Sequence, residues 1–233
     1  MTFIRRWDTN ARPAAFMCDD GKVRVVKCRR NDQEMGRILI SDHIVAHLGQ
    51  ALGAPTGEPR LVDVPAELVA AEPQIAHFVP SVGHGTLFVD GCTDRQWLSH
   101  MSVPENRPRF ARLATLYGWA VASDHQLIYM NSPPHLVFSV DHGHFFPGST
   151  NWNAAQLDAA PNATLDGNIV QGCQLTPDEI REAGNMLLAI RLLEIADAVA
   201  SPLEAWGVTA AERFALLTFL VRRRAQLLPL LLA

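Results

Sequence analysis

The chain has 233 residues, of which 48% are hydrophobic and 19% charged, a composition typical of a globular protein with a sizeable core. Its formal net charge of -4 argues against a nucleic-acid-binding protein that depends on electrostatic attraction. Four scattered cysteines without a CxxC motif favour reduced thiols and a cytoplasmic location. The amino terminus lacks an apolar signal core and the apolar tail LLPLLLA is too short to span a bilayer, so we expect no membrane association.

The first part, residues 1–90, is predicted to be rich in strands and to contain one helix. Residues 12–30 read as a β-hairpin, because two apolar runs flank the tight-turn signal Asp-Asp-Gly. Residues 36–53 carry apolar side chains at helical spacing, and a Gly-Ala-Pro sequence ends the helix. Residues 59–64 and 75–89 are predicted to add further strands.

The second part, residues 91–233, is predicted to be mostly helical. Helical periodicity covers residues 107–122, 175–200 and 209–228, and the last two segments begin with Thr-x-x-Glu capping boxes. A Pro-Pro pair excludes a continuous helix before the apolar run LVFSVD, residues 136–141, which reads as a strand. A strand-rich lobe followed by a helical lobe predicts an α+β, two-lobed nucleotide-binding enzyme.

Two charged residues of the first lobe are candidates for phosphate binding. Lys27 ends the second strand of the predicted hairpin, where its ammonium could reach nucleotide phosphates as a point charge. The alternative is a solvated lysine among neighbouring arginines. Asp42 lies early in the following helix, where it could hold that lysine or could simply be an acid favoured by the helix dipole.

Three polar residues of the second lobe are candidates for catalysis and metal binding. Asp124 and Asn131 follow an apolar helix; the acid could orient a hydroxyl, and the amide oxygen could bind Mg²⁺. Asp141 ends an apolar strand, two residues before Gly143, which would let the backbone turn. A carboxylate there can hold Mg²⁺ against phosphates, or it can be an ordinary turn residue.

A zinc site is a competing interpretation, because several histidines lie close together in the sequence. These are His125, His135, His142 and His144. The sequence contains no HExxH motif, and no CxxC supports a structural zinc site. Neither a GxxxxGK[ST] phosphate loop nor a GxSxG nucleophile motif is present. Because the zinc motifs are missing, we interpret His142 as a packing residue beside Asp141.

Taken in order, the candidates resemble the motifs of the protein-kinase-like phosphotransferases. In detail the chain resembles the small HipA-like kinase family, which is related to the HipA toxin kinases and more distantly to phosphatidylinositol kinases. The resemblance covers roughly residues 9–147 and is carried by the stretches DDGKVRVVKCRRN, LISDHIVAHLGQALGAPTGEPRLVDV, WAVASDHQLIYMNSP and LVFSVDHGHFF. The helical carboxyl-terminal part matches in kind and carries no motif.

This resemblance implies an ATP- and Mg²⁺-dependent kinase that phosphorylates a Ser/Thr hydroxyl of a protein. It assigns Lys27, Asp124 and Asp141 to catalysis, Asn131 and Asp141 to Mg²⁺, and Lys27, Asp42, Phe88 and Asp141 to the nucleotide. The adenine would lie between the lobes near residues 85–89. ATP and a protein substrate are the partners implied.

The sequence departs from the family pattern at several points. Asp42 stands where the family usually has Glu, and no glycine-rich phosphate loop precedes Lys27. The metal-binding Asn usually comes about five residues after the catalytic Asp, where this chain has Tyr129. Asn131 comes seven residues after Asp124, so either the loop is longer here or Gln126 serves as the metal ligand in its place. These departures favour an alternative: a pseudokinase-like module that binds nucleotide with little or no catalysis.

Overall fold

The computed structural model describes residues 1–93 and 97–233, and the chain begins with a five-stranded antiparallel sheet. Its order is β1-β2-β3-β5-β4, with the bounds Thr2–Arg6 (β1), Ala14–Met17 (β2), Val23–Lys27 (β3), Pro59–Val64 (β4) and Ser81–Leu87 (β5). The predicted hairpin is confirmed, with Ala15 opposite Val25 and Gly21 in the left-handed conformation at φ +74°. A glycine suits this turn because it adopts positive φ without steric cost.

Helix α1, Gly36–Leu52, follows the hairpin and is confirmed close to its predicted bounds. Gly53 ends it with φ 66° and donates its N–H to carbonyl oxygens of the last turn. A short helix α2, Ala66–Ala71, connects β4 to β5. Most side chains of α1 are buried, so this helix is a core element with protein on nearly every side.

A second, three-stranded sheet and most of the helices follow. The sheet has the order β6-β7-β8, with the bounds Cys92–Thr93 (β6), Leu127–Met130 (β7) and Val137–Ser139 (β8). The helices are Arg107–Ala120 (α3), Ala154–Asp158 (α4), Gly167–Gly172 (α5), Pro177–Ala189 (α6), Leu192–Ala200 (α7) and Ala210–Leu232 (α8). The mostly helical character predicted for this half is therefore observed.

The structure corrects the prediction of one helix over residues 175–200. Helix α6 ends at Ala189, and α7 begins at Leu192. Arg191 between them has extended backbone, and the Glu194 side chain accepts a hydrogen bond from its N–H in a second capping box. A new cap inside an apolar pattern starts a second helix, which periodicity alone does not reveal.

Helix α1 joins the two halves, because it contacts β4 and β5 on one side and α3, α6 and α7 on the other. Trp206 donates its indole N–H to the carbonyl oxygen of Val82 at 3.0 Å, and Trp152 donates to the Ser41 hydroxyl at 3.0 Å. The connection between the sheets, residues 88–91, contains the predicted lobe boundary at residue 90. Within residues 1–93 and 97–233, the helices are all too short or too polar to cross a bilayer.

Candidate functional site

A cavity of about 340 Å³, called the cleft below, lies where the two sheets face each other. The first sheet, the β1–β2 connection and α1 form one wall, and β6, β7 and β8 form the other. The predicted site residues that line it are Lys27, Asp42, Phe88 and Asp141. Its volume falls in the range of small-molecule sites.

The Lys27 ammonium connects two carboxylates inside the cleft. Its Nζ lies 2.6 Å from Asp42 Oδ2 and 2.5 Å from Asp141 Oδ1. Lys27 is 6% exposed and Asp42 2% exposed, whereas the Asp141 side chain is 19% exposed. Residues separated by up to 114 positions in sequence therefore meet at one buried cation.

Inside this triad, the pKa values of the two carboxyls are shifted in opposite directions. Burial, together with the repulsion of Asp141, raises the pKa of the Asp42 carboxyl above its usual range although Lys27 lowers it. At Asp141 burial acts in the same sense, but the attraction of Lys27 outweighs it and the pKa falls. Burial would lower the pKa of Lys27, yet Asp141 and Asp42 together raise it. Lys27 therefore stays charged, and Asp141 presents the more acidic carboxylate to the cleft.

The backbone at Asp141 and the absence of a side chain at Gly143 shape this corner. Asp141 has φ 60°, which is uncommon for a residue with a side chain. A Cβ at Gly143 would lie 2.5 Å from Ile38 Cγ2 and 3.2 Å from Asp42 Oδ2. The chain turns at Gly143 as expected, with the Phe145 N–H donating to the His142 carbonyl oxygen at 3.0 Å. The left-handed conformation, however, is at Asp141, and the missing side chain of Gly143 permits the close approach of α1.

His142 is a buried packing residue, as predicted. Its Nε2 is 2.8 Å from Ser139 Oγ, which is 2.6 Å from the Tyr117 hydroxyl. Burial lowers the pKa of His142 to about 4, so its ring is neutral near pH 7. The other candidates for zinc diverge: His144 contacts Ser149, and His125 contacts Asp166. Among the residues with described positions, no group of three His, Cys, Asp or Glu side chains could hold a metal ion.

Asp124 and Asn131 lie at opposite ends of strand β7. Asp124 is half-buried in the connection from α3, and it accepts a hydrogen bond from Gln126 Nε2 at 2.9 Å. Gln126 lines the cleft. Its backbone carbonyl oxygen accepts a hydrogen bond from the N–H of Val140, the residue before Asp141. Asn131 is exposed, about 16 Å along the strand from Gln126 at the usual rise of an extended chain. Its position does not fit the predicted role of a metal ligand shared with Asp141, whereas Gln126 lies beside the strand end that carries Asp141 and lines the cleft.

The sequence reasoning missed several residues that line the cleft. Thr9, in the β1–β2 connection, has a buried hydroxyl without a hydrogen-bond partner in the described part of the protein. Trp7 packs on Phe88, with ring centres 6.1 Å apart. His84 lies opposite Lys27 on β5, and its Nδ1 is 2.9 Å from that of His43. Thr9 and Trp7 lie between β1 and β2. Because strand β1 was not predicted, their place in a connection beside the cleft could not be recognised from the sequence.

Comparisons with known proteins place this geometry in a fold. No family model and no curated protein matches the chain. The proinflammatory kinase CtkA of Helicobacter pylori aligns with a TM-score of 0.63 at 10% identity, over 99% of this chain and 95% of that chain. A Golgi casein kinase with Mn/ADP bound aligns with a TM-score of 0.50 at 11% identity, over 97% of this chain and 73% of that chain.

A chain of the Shewanella oneidensis complex of HipA, HipB and operator DNA also matches, with a TM-score of 0.43 at 11% identity over 97% of this chain and 62% of that chain. That likeness is too low to carry an argument. The other two show the fold: this protein has the α+β, kinase-like fold that the resemblance to HipA-like kinases predicted, and that prediction is confirmed.

Proposed function

We propose that the protein is an ATP- and Mg²⁺-dependent kinase that transfers the γ-phosphate to a Ser/Thr hydroxyl of a protein. The observation that carries this proposal is the meeting of Lys27 with Asp42 and Asp141 in the cleft of a kinase-like fold. The likeness to a casein kinase with Mn/ADP bound supports nucleotide and divalent-metal binding.

Lys27 and Thr9 would bind the phosphates. The Lys27 ammonium is buried and charged, so it would attract phosphate oxygens strongly. Asp42 on α1 holds it in place through a hydrogen bond of 2.6 Å. Thr9 lines the same cleft, but its hydroxyl is buried and has no partner among the described residues, so a phosphate oxygen would accept its hydrogen bond only after the β1–β2 connection moves. Thr9 would then provide a contact in a connection that has no glycine-rich sequence.

Asp141 and Gln126 fit the requirements of a magnesium site. Mg²⁺ is usually held by one or two protein oxygens together with phosphate oxygens. The Gln126 amide nitrogen donates to Asp124, which leaves the amide oxygen available to a cation. When bound, Mg²⁺ neutralises phosphate charge.

Asp124 would orient the acceptor hydroxyl and accept its proton. Asp124 is not among the residues that line the cleft, but it accepts a hydrogen bond from Gln126, which does line it, and that bond fixes one of its oxygens. The second oxygen would accept the proton of a bound hydroxyl group. Catalysis would then come from positioning and from charge neutralisation around Lys27.

The test is phosphoryl transfer from radiolabelled ATP with Mg²⁺, measured as autophosphorylation and as labelling of a Ser/Thr peptide library. We expect Asp141→Asn and Asp124→Asn to lower transfer at least about 100-fold. The exposed acid Asp158 provides a matched control, and Asp158→Asn should behave like the wild type. Equal activity of wild type and Asp124→Asn would contradict the catalytic role.

A second candidate function is a pseudokinase-like module that binds nucleotide without transfer. The observation that favours it is the short connection between α3 and β7, residues 121–126, with Asn131 at the end of β7 that lies away from Asp141. A thermal-shift titration with a non-hydrolysable ATP analogue tests binding by itself, because a ligand stabilises the folded state by RT ln(1 + [L]/Kd).

Binding without transfer would favour the module, and both activities together would favour the kinase. Lys27→Ala should abolish the thermal shift. The chain's other lysine, Lys22, is half-exposed and provides the matched control Lys22→Ala. The absence of a shift with nucleotide and Mg²⁺ would contradict both functions.

A further inference from the structure

Three histidine rings form a chain that leads from the cleft into the first lobe. His84 lies on β5 and lines the cleft. His43 and His47 lie one turn apart on α1. His84 Nδ1 is 2.9 Å from His43 Nδ1, the distance of a normal hydrogen bond. His43 Nε2 is 3.3 Å from His47 Nε2, a longer and weaker contact. None of the three rings has a role in the mechanism proposed above.

His84 lies beside the lysine that would bind the phosphates. Its Cα is opposite that of Lys27 in the pairing of β3 with β5, and residues directly opposite each other point to the same face of a sheet. His84 is only 4% exposed, and its Nε2 has no protein partner among the described residues. Nε2 is therefore the ring nitrogen left available to a ligand bound at Lys27.

All three rings are neutral near pH 7. Burial lowers the pKa of His84 well below its usual range, and the nearby charge of Lys27 lowers it further. Burial also lowers the pKa of His43 to about 2, and burial with the charge of Arg60 lowers the pKa of His47. A neutral imidazole has one N–H that donates and one bare nitrogen that accepts. Each ring of the chain therefore carries a single proton.

His43 fixes the order of these protons, because both of its nitrogens are engaged. In one arrangement His47 donates to His43, His43 donates to His84 Nδ1, and His84 carries its own proton on Nε2. In the other arrangement both hydrogen bonds are reversed and His84 Nε2 is bare. Trp206 packs against the His43 ring, with ring centres 5.5 Å apart, and holds its orientation. An anionic phosphate oxygen accepts hydrogen bonds and donates none, so it selects the first arrangement.

We infer that His84 is a phosphate-binding residue beside Lys27, and that His43 is a positioning residue that keeps the proton of His84 on Nε2. The inference rests on the nucleotide-binding function proposed above and names a further donor for the same phosphates. The charge of Lys27 is already shared between Asp42 and Asp141. A neutral donor beside it strengthens phosphate binding without placing a second cation next to the first.

Nuclear magnetic resonance of the full chain with isotope-labelled histidine shows directly which ring nitrogens carry protons. The probe is the β,γ-imido analogue of ATP with Mg²⁺. In the wild-type complex we expect His84 to be protonated on Nε2 and His43 on Nδ1. His43→Phe keeps an aromatic ring but removes both nitrogens, so His84 should then populate both tautomers. A purely structural role of His43 would leave the proton of His84 in place.

Calorimetry tests the contact itself. His84→Leu should weaken binding of the ATP analogue about tenfold or more, because a hydrogen bond to a charged group is lost. His84→Gln keeps an N–H donor and should recover much of that affinity. Adenosine, which has no phosphate, should bind wild type and His84→Leu equally. The matched control His100→Leu replaces an exposed histidine outside the cleft and should bind both probes like the wild type.

A bare His84 Nε2 in the wild-type complex would overturn the inference, and this measurement requires no variant to fold. A folded His84→Leu that binds the ATP analogue like the wild type would overturn the phosphate contact while leaving nucleotide binding intact. An equal loss of affinity for adenosine would show that His84 acts only on the structure of the cleft, which also overturns it. A folded wild type that binds neither probe would instead overturn the proposed function, and this inference with it.

Discussion

Gly143→Ala is the substitution that tests most directly how the cleft is assembled. The new Cβ would lie 2.5 Å from Ile38 Cγ2, closer than carbon atoms approach in real proteins. The Ile38 side chain, α1 or the chain after Asp141 must therefore move. Such overpacking costs typically about 1–3 kcal/mol of unfolding free energy. Because Asp42 on α1 holds Lys27 at 2.6 Å, the movement would also disturb the phosphate-binding cation.

Urea unfolding measures the first effect, and affinity for a non-hydrolysable ATP analogue measures the second. We expect Gly143→Ala to lower the free energy of unfolding by about 1–3 kcal/mol and to weaken nucleotide binding. Gly167→Ala is the matched control, since a Cβ there meets nothing within 4 Å at the start of α5. It should be neutral or stabilise by about 0.5–1 kcal/mol.

A double-mutant cycle identifies Ile38 as the side chain that conflicts with a residue at position 143. Ile38→Ala alone should cost about 2–5 kcal/mol, because it opens a cavity in the core. If the new Cβ fills part of that cavity, the double variant should be more stable than the sum of the single effects by about 0.5–3 kcal/mol. Additive effects, or a Gly143→Ala variant as stable as wild type, would refute the reasoning.

Three further substitutions test other parts of the structure. Thr9→Val should leave the unliganded protein as stable as wild type, because the hydroxyl has no partner among the described residues, yet it should weaken ATP-analogue binding several-fold in calorimetry. Arg223→Met should lower unfolding free energy by about 3 kcal/mol in urea titration, since it removes hydrogen bonds to the carbonyl oxygens of Gly118, Trp119 and Pro161. His142→Gln should flatten the loss of stability on acidification from pH 6.5 to about 4. Between these pH values His142 is protonated in the unfolded chain, whereas the buried ring of the folded protein, with a pKa of about 4, stays neutral. Proton uptake by the unfolded chain therefore lowers the free energy of unfolding by an amount on the order of 3 kcal/mol.

Several elements could be predicted from local sequence signals because the signals and the structure agree. The Asp-Asp-Gly turn specifies its own hairpin, and Gly53 ends α1 through a left-handed conformation that glycine adopts freely. Thr209 begins α8 with the capping box expected from its Thr-x-x-Glu sequence. The break at Ile190–Arg191 was not predictable in the same way, since the apolar periodicity continues across it and Arg191 is not a residue type that usually caps a helix.

The candidate site was predictable where its residues end strands, and less so where they belong to connections. Lys27 and Asp141 each follow an apolar run, so their convergence could be expected from the order of the motifs. Asn131 was chosen over Gln126 by residue type. Only the pairing of β7 with β8 shows which of the two lies next to Asp141. Register between strands is a non-local property, and a single sequence does not contain it.

The shorter acid at position 42 is compensated by the packing of α1. An Asp reaches one methylene less far than a Glu, and α1 nevertheless approaches the lysine closely enough for a contact of 2.6 Å. Gly143 permits that approach on one side, because even a methyl group there would collide with Ile38. The pair of Lys27 and Asp42 is thus complete at 2.6 Å, and the departure at position 42 is not evidence against catalysis. The choice between a kinase and a nucleotide-binding module depends instead on Asp124 and Gln126.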